Sequence, residues 1–357
     1  MDDNILKKLA FWPKFRPQVF LKLIKKYKTL DKVLGKNIAE LSKFVPQIYI
    51  QEMLDFTRSR EFKNAFNILN KYKIKAITYL NKTYPENLRE ISSFPLVLFY
   101  KGKLEIPQNT IGIVGTRKMS VYGKQACEKI IPELVDAGFS TISGLALGID
   151  SQVARSTLES GGKTFAVLGN GLPNIYPAYN QKIAIQIIKT GGAIISEFPP
   201  FYPSFKQNFP QRNRVISGLS SGLLVVEAAE SSGSLITASF ALEQNKQVYA
   251  IPGSIFSNQS KGTNKLIKLG AKPVLSSEDI LEDFGIEKGA QVLEKDLNFD
   301  NLEQETVYNL TDPEKAITIN QLSLLLKKDI SEVSAHITSL ELKGLIKNIG
   351  MGKYIRN

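Results

Sequence analysis

The run Ile111-Gly112-Ile113-Val114-Gly115-Thr116-Arg117 is followed, after an amphipathic stretch of helix length, by Phe139-Ser140-Thr141-Ile142-Ser143-Gly144-Leu145-Ala146-Leu147-Gly148-Ile149-Asp150. Short, continuously apolar runs that end in small-residue turns and alternate with amphipathic stretches are what strands buried on both faces of a parallel sheet require. The pattern continues outward, with strands expected at 111–114, 139–142, 164–168, 193–195, 223–226 and 247–251. Helices are expected between and after them at 121–136, 150–160, 180–189, 234–244 and 264–269. Right-handed crossovers turn such a series into an open sheet whose ligands sit beyond the carboxyl ends of the strands. The expected fold class is α/β: an extended Rossmann-like, doubly wound, mainly parallel sheet.

The flanks read differently. Val19, Phe20, Leu23 and Ile24, and then Phe62, Phe66 and Leu69, recur at helical spacing, and Gly35 and Pro46 punctuate the segment. A β-rich run, Leu96-Val97-Leu98-Phe99-Tyr100-Lys101-Gly102, comes after Tyr84-Pro85. Residues 1–83 are therefore expected as an N-terminal helical (SAM-like) domain and 84–285 as the core. A polar linker is expected at 286–300, followed by a C-terminal domain at 301–357. That last segment carries helix patterns at 301–310, 318–327 and 331–343 and two β-like runs around glycines, the order of a winged helix.

Composition narrows the chemistry. The chain has 357 residues, 43% hydrophobic and 22% charged, and no apolar run approaches the roughly 18 residues of a membrane helix. Its start lacks a basic segment leading into an apolar one, so a cytoplasmic protein is expected. One cysteine, Cys127, and one histidine, His336, leave no disulfide framework and no thiolate or His-rich metal site, and no cofactor is expected. Of the net charge of +12, most lies in residues 1–83, which hold 18 Lys and Arg against 7 Asp and Glu; residues 84–285 hold 19 against 16, and the remainder 9 against 11. A basic end fits a polyanionic partner and equally a solvated lysine-rich helix face.

Four turns recur at the expected strand ends: Gly115-Thr116-Arg117, Ser143-Gly144-Leu145-Ala146-Leu147-Gly148, Gly169-Asn170-Gly171 and Ser231-Ser232-Gly233-Ser234. Glycine lets a ligand approach the backbone, and the free N–H groups that open a helix favour an anionic oxygen. There is no P-loop, no Gly-x-Gly-x-x-Gly opening the first crossover and no Gly-x-Ser-x-Gly elbow. The connection from Ser196 to Arg214 interleaves Phe198, Phe201, Tyr202, Phe205 and Phe209 with prolines and the cations Lys206, Arg212 and Arg214. Cations along phosphates and rings against unpaired bases hold single strands, each stack contributing roughly 1–3 kcal/mol. The same residues also suit a loop whose rings cap the sheet and whose Arg212 and Arg214 pair with Glu197 or Glu227.

These motifs, together with Tyr176-Pro177, Phe209-Pro210-Gln211-Arg212-Asn213-Arg214 and Ser232-Gly233-Ser234-Leu235-Ile236-Thr237-Ala238, closely resemble the DNA-processing protein A (DprA/Smf) family across about residues 84–275. The resemblance implies a non-enzymatic recombination mediator that binds single-stranded DNA, including DNA coated by single-strand binding protein, and loads the RecA recombinase during natural transformation. It also implies a homodimer formed through the core, with the later strands and the 264–269 helix as candidate contacts. Carried over residue by residue, Arg117, Lys206 and Phe209 hold DNA, Arg212 and Arg214 form the neighbouring basic motif, and Gly115, Thr116, Gly144, Gly233 and Ser234 supply the turns. Gly-Thr-Arg stands here where Gly-Ser-Arg is more usual.

Two alternatives stay open. One is a nucleotide-binding or phosphoribohydrolase-like enzyme, although Ser239 or Phe240 stands where that group's Pro-Gly-Gly-x-Gly-Thr-x-x-Glu motif has its acid, leaving Glu227 and Glu230 nearby. The other is a duplex-binding regulator acting through the winged helix. Its third helix carries Glu332 and Glu341 beside His336, and only Lys347, Lys353 and Arg356 of the hairpin are basic, which favours a protein contact or a regulatory role over base reading.

Overall fold

The computed structural model describes residues 2–286, 299–312, 316–350 and 352–356, and the chain divides into two units, Met1–Lys288 and Gly289–Asn357. Most of the expected linker, 287–298, lies outside the described residues. Phe299 and Asp300, at its end, belong to the second unit: the Phe299 ring meets Tyr308 at 5.4 Å, and Asp300 N donates to Gln304 Oε1 over 2.7 Å.

The first unit is built on nine strands: β1 (Lys75–Thr78), β2 (Val97–Gly102), β3 (Thr110–Val114), β4 (Ser140–Ser143), β5 (Thr164–Leu168), β6 (Ala193–Ser196), β7 (Gly222–Val225), β8 (Gln247–Ala250) and β9 (Lys272–Pro273). Their order is β1-β2-β6-β5-β4-β3-β7-β8-β9. All neighbours from β6 to β9 are parallel, while β1 and β2 join antiparallel at one edge. Pro273 is tolerated because β9 is the other edge, where a missing N–H breaks no ladder.

Six N-terminal helices come first: α1 (Asp2–Leu9), α2 (Pro17–Tyr27), α3 (Leu30–Leu34), α4 (Ile38–Leu41), α5 (Gln47–Arg58) and α6 (Arg60–Lys71). Thr29, Asn37 and Ser59 cap α3, α4 and α6, each side chain accepting a backbone N–H of the first turn. Then follow α7 (Glu86–Arg89), α8 (Val121–Asp136), α9 (Ile149–Glu159), α10 (Gln181–Lys189), α11 (Asn208–Leu219), α12 (Gly233–Glu243), α13 (Lys261–Lys268) and α14 (Glu278–Leu281). The crossover helices clothe both sheet faces. Cys127, Ile130 and Ile131 of α8 and Val153 of α9 pack on Ile111, Ile113 and Leu224, while Val215 and Leu219 of α11 and Ala238 of α12 pack on Phe165, Val167 and Leu223.

Two departures from expectation bear on the core and the site. β1 falls inside the segment expected to be helical, and Leu6, Phe20, Ile50 and Met53 share one continuous core with Phe99, Leu168 and Ile194 of the sheet. Asp3 of α1 accepts a hydrogen bond from Thr78 Oγ1 of β1 over 2.5 Å. The second departure is α11, which replaces the last part of a connection expected to be irregular. Pro210 does not prevent it, because in the first turn its missing N–H has no intrahelical acceptor to lose.

The second unit holds α15 (Leu302–Leu310), β10 (Ile317–Thr318), α16 (Ile319–Leu326), α17 (Ile330–Leu342), β11 (Ile346–Gly350) and β12 (Lys353–Arg356). Its strands pair antiparallel in the order β10-β12-β11, over a core of Val307, Leu322, Val333, Ile337, Leu340 and Ile346. A capping box between Thr318 and Gln321 opens α16. Among the described residues no helix is long and apolar enough to cross a membrane.

Candidate nucleic-acid interface

From β3 the chain crosses by α8 to β4 on one side, and from β7 it crosses by α12 to β8 on the other. The carboxyl ends of the adjacent strands β3 and β7 are thus the switch point at which a crevice must open. A cleft of about 590 Å³ lies there, lined by Gly115, Arg117, Ala146, Asp150, Tyr176, Lys206, Phe209, Arg212, Asn213, Ser232, Gly233, Ser234 and Thr237, among others. Seven of the ten residues expected from the sequence line it. Gly144 borders an adjoining recess with Arg117, Tyr176 and Phe209. Thr116 and Arg214 line neither.

The turn after β3 is held from both sides. Thr116 N donates to Glu227 O over 2.8 Å, and Thr116 O accepts from Ile149 N over 3.1 Å. The Thr116 hydroxyl accepts from Lys118 N over 3.1 Å, so it serves the turn and not the cleft. Gly148 approaches from below with φ +79°, and a Cβ there would lie 2.4 Å from Thr116 O, so the position demands glycine. Buried Glu227 completes the clamp by accepting from Ser120 N over 3.0 Å and Ser120 Oγ over 2.5 Å. The Arg117 side chain projects into solvent above this rigid base, with its guanidinium carbon 5.0 Å from the centroid of the Phe209 ring.

Phe209 sits in the first turn of α11. A Cβ on Gly169 would come within 2.9 Å of its ring, and Tyr176 lies beside it at 5.8 Å. The neighbouring Asn208 amide fixes the start of the helix, donating to Gly169 O over 3.0 Å and Pro203 O over 3.1 Å. Lys206 precedes it, exposed at the cleft rim.

The two arginines of α11 part company. Two helical residues are about 200° apart, so Arg212 turns toward the cleft and Arg214 away from it. Arg212 is buried, donating to Gly144 O over 2.8 Å and to Val167 O. Burial lowers its pKa to about 10, Asp150 opposes that fall, and Arg117 adds to it. Burial raises Asp150, against the pull of Arg212 and a bond from Ala146 N of 3.4 Å. Arg214, expected at the DNA, is buried and pairs with buried Glu197, and it does not line the cleft. Burial raises Glu197 too, and Arg214 opposes the rise.

The aromatic connection is likewise divided. Phe198 stacks on Tyr202 at 5.3 Å, Tyr202 meets Phe205 at 5.8 Å and Phe201 meets Tyr72 at 4.8 Å, so these rings pack on each other and on the N-terminal helices. Of the connection's rings, only Phe209 lines the cleft. Its companion Tyr176 belongs to a different loop; its signal was an aromatic residue just past the Gly169-Asn170-Gly171 turn.

Opposite α11, the amino terminus of α12 faces the cleft with Ser232 and Ser234, and Asn213 Nδ2 bridges to Gly233 O over 3.3 Å. The partial positive charge of a helix start joins the two exposed cations there. The site can therefore bind anionic oxygens and stack a flat ring. Its one lining carboxylate, Asp150, is tied down, and Glu227 points to Ser120.

Residues 75–285 match the family model described as DNA recombination-mediator protein A. DNA processing protein DprA of Bacillus subtilis (strain 168) is 43% identical over 212 residues, covering 59% of this chain and 71% of that protein. Among solved structures, DNA processing protein A from Streptococcus pneumoniae matches with a TM-score of 0.65 and 33% identity, over 79% of this chain and 98% of that one. DNA processing protein A from Helicobacter pylori, from a structural study of its single-stranded DNA binding mode, matches with a TM-score of 0.54 and 27% identity, over 60% and 96%.

Proposed function

The chain belongs to the DNA recombination-mediator protein A family, and from that premise we propose that it is a non-enzymatic mediator that holds single-stranded DNA in the switch-point cleft and delivers it to the RecA recombinase. The observation that carries this reading is the placement of Arg117 over Phe209, with Lys206 and the start of α12 around the same cavity. Phosphates meet the cations and helix N–H groups, while an unpaired base stacks on the Phe209 and Tyr176 rings. The single-strand binding mode studied in the Helicobacter pylori relative supports the choice of ligand. A cytoplasmic location, single-strand binding protein as a further partner, and a homodimer through the core belong to the same reading.

Turnover has little support, since among the described residues the one carboxylate lining the cleft is Asp150, which is buried beside Arg212. Ribose release from a panel of nucleotides should stay at background. The C-terminal unit reads as a winged helix used for protein contact: Glu332 and Glu341 lie on α17, and His336 is taken up by Glu303 at 3.3 Å.

The Lys206→Ala/Phe209→Ala variant tests the cleft. Affinity for labelled oligothymidylate should fall at least about tenfold, given roughly 1–3 kcal/mol for a lost stack. The salt dependence should flatten by about 0.7 in log–log slope for the lost phosphate contact. Wild-type binding by the folded variant would reject the site.

A further inference from the structure

A second cavity, of about 200 Å³, lies on the other flank of the first turn of α11. Trp12 and Phe15 of the N-terminal segment wall it on one side and Phe198 and Glu197 on the other, with Gln207 and Gln211 of the α11 region completing it. Both glutamines are exposed. Trp12 and Phe198 are each more than nine-tenths buried. The volume is below the about 300–1,000 Å³ of sites for drug-sized ligands, which suits one flat heterocycle and not a whole nucleotide.

Its chemistry is specific. The Glu197 side chain is 7% exposed; Oε2 is engaged by Arg214, whereas Oε1 is buried with no hydrogen-bond partner. An unmet buried acceptor is costly, and a ligand that donates to it recovers that cost. A carboxylate oxygen between aromatic walls selects a ring with adjacent N–H donors. Guanine presents N1–H beside its exocyclic amine. Adenine and cytosine set their amine next to a ring acceptor, and thymine flanks its one N–H with two carbonyls, so each would turn a lone pair toward the anion.

Position links this cavity to the cleft. Lys206 and Phe209 face the cleft, while Gln207, Asn208 and Gln211 face the cavity, so one turn of backbone separates the two. Lys206 of the cleft and Gln207 of the cavity are consecutive residues. We infer that the second cavity is a base-selective subsite that takes an unpaired guanine from the strand held in the cleft. The inference rests on the single-strand reading above, and its test is chosen to fail separately.

Trp12 is the chain's only tryptophan, so its emission in the full chain reports on the cavity wall. Guanosine should quench it saturably, inosine, which lacks the exocyclic amine, more weakly, and thymidine not at all. An oligothymidylate interspersed with guanines should bind about tenfold tighter than plain oligothymidylate by anisotropy. Gln211→Phe, which fills the mouth from an exposed position, should abolish both the quenching and the preference while leaving oligothymidylate affinity and the melting temperature unchanged. Glu197→Gln, which retains an oxygen for Arg214, should remove the guanine preference and leave oligothymidylate affinity in place, with a lowered melting temperature from the loss of the buried charge pair. Unmoved Trp12 emission with equal affinity for the two oligomers would overturn the subsite while leaving the cleft intact. Quenching by a proline-rich peptide but not by guanosine would overturn it as well. If no oligomer binds, the cleft reading fails, and the guanosine titration still decides the subsite.

Discussion

Arg117, Arg212 and Arg214 share a charge and divide the work. Arg117 is exposed over a ring, Arg212 is buried under the cleft on two carbonyls, and Arg214 is buried in an ion pair. Their substitutions should separate accordingly. Arg117→Ala should weaken single-strand binding and leave urea unfolding unchanged. Arg214→Met strands a buried carboxylate and should cost about 3–5 kcal/mol in the same unfolding experiment. The pH dependence has a definite sign. Burial already raises Glu197, and loss of the opposing Arg214 raises it further, so the neutral acid is the form the fold tolerates. The deficit of Arg214→Met should therefore be largest above the raised folded pKa and shrink as pH falls through it toward the unfolded value. The sequence left Arg212 and Arg214 together, either as one basic motif or as partners of Glu197 or Glu227, because in an assumed loop nothing assigns neighbouring side chains to opposite faces. Arg117, Lys206 and Phe209 were legible through the family motif, and their convergence follows from all three standing at one end of the sheet.

Elements were legible where burial on both faces imposed a pattern. Every parallel strand from β3 to β8 lies within one residue of its expected position, and α8 coincides with it. What escaped was decided by tertiary context. The stretch leading into α11 is rich in proline and aromatic residues and reads as irregular, and only the tolerance of a first helical turn for Pro210 argues otherwise. β1 is four residues long and becomes a strand because β2 offers it an edge. The Asn208 amide that joins α11 to the β5 turn makes a test of the element: Asn208→Ala leaves buried Gly169 O unmet, frees the exposed Pro203 O and should cost about 1–3 kcal/mol. Single-strand affinity should fall with it, since Phe209 loses its anchor. An unchanged melt and unchanged binding would show that α11 is held by its apolar face alone.

At the scale of the molecule, the expected boundary near residue 83 is crossed by one hydrophobic core. Removal of residues 2–71 would bare Phe99, Leu168 and Ile194, and such a truncation should be insoluble or lack a cooperative melt. A soluble, cooperatively melting fragment would show that the helices are an appendage. The same shared core fixes where the charge sits. Lys22, Lys25, Lys26 and Lys32 are exposed on helices, and Lys28 and Lys43 on the turns between them, in a segment that cannot swing free of the sheet. An approaching polyanion then meets a field of constant direction, as a compass needle meets a bar magnet, and not the averaged pull of a tethered arm. Stopped-flow association should slow steeply as ionic strength rises, while removal of these lysines should alter arrival far more than departure.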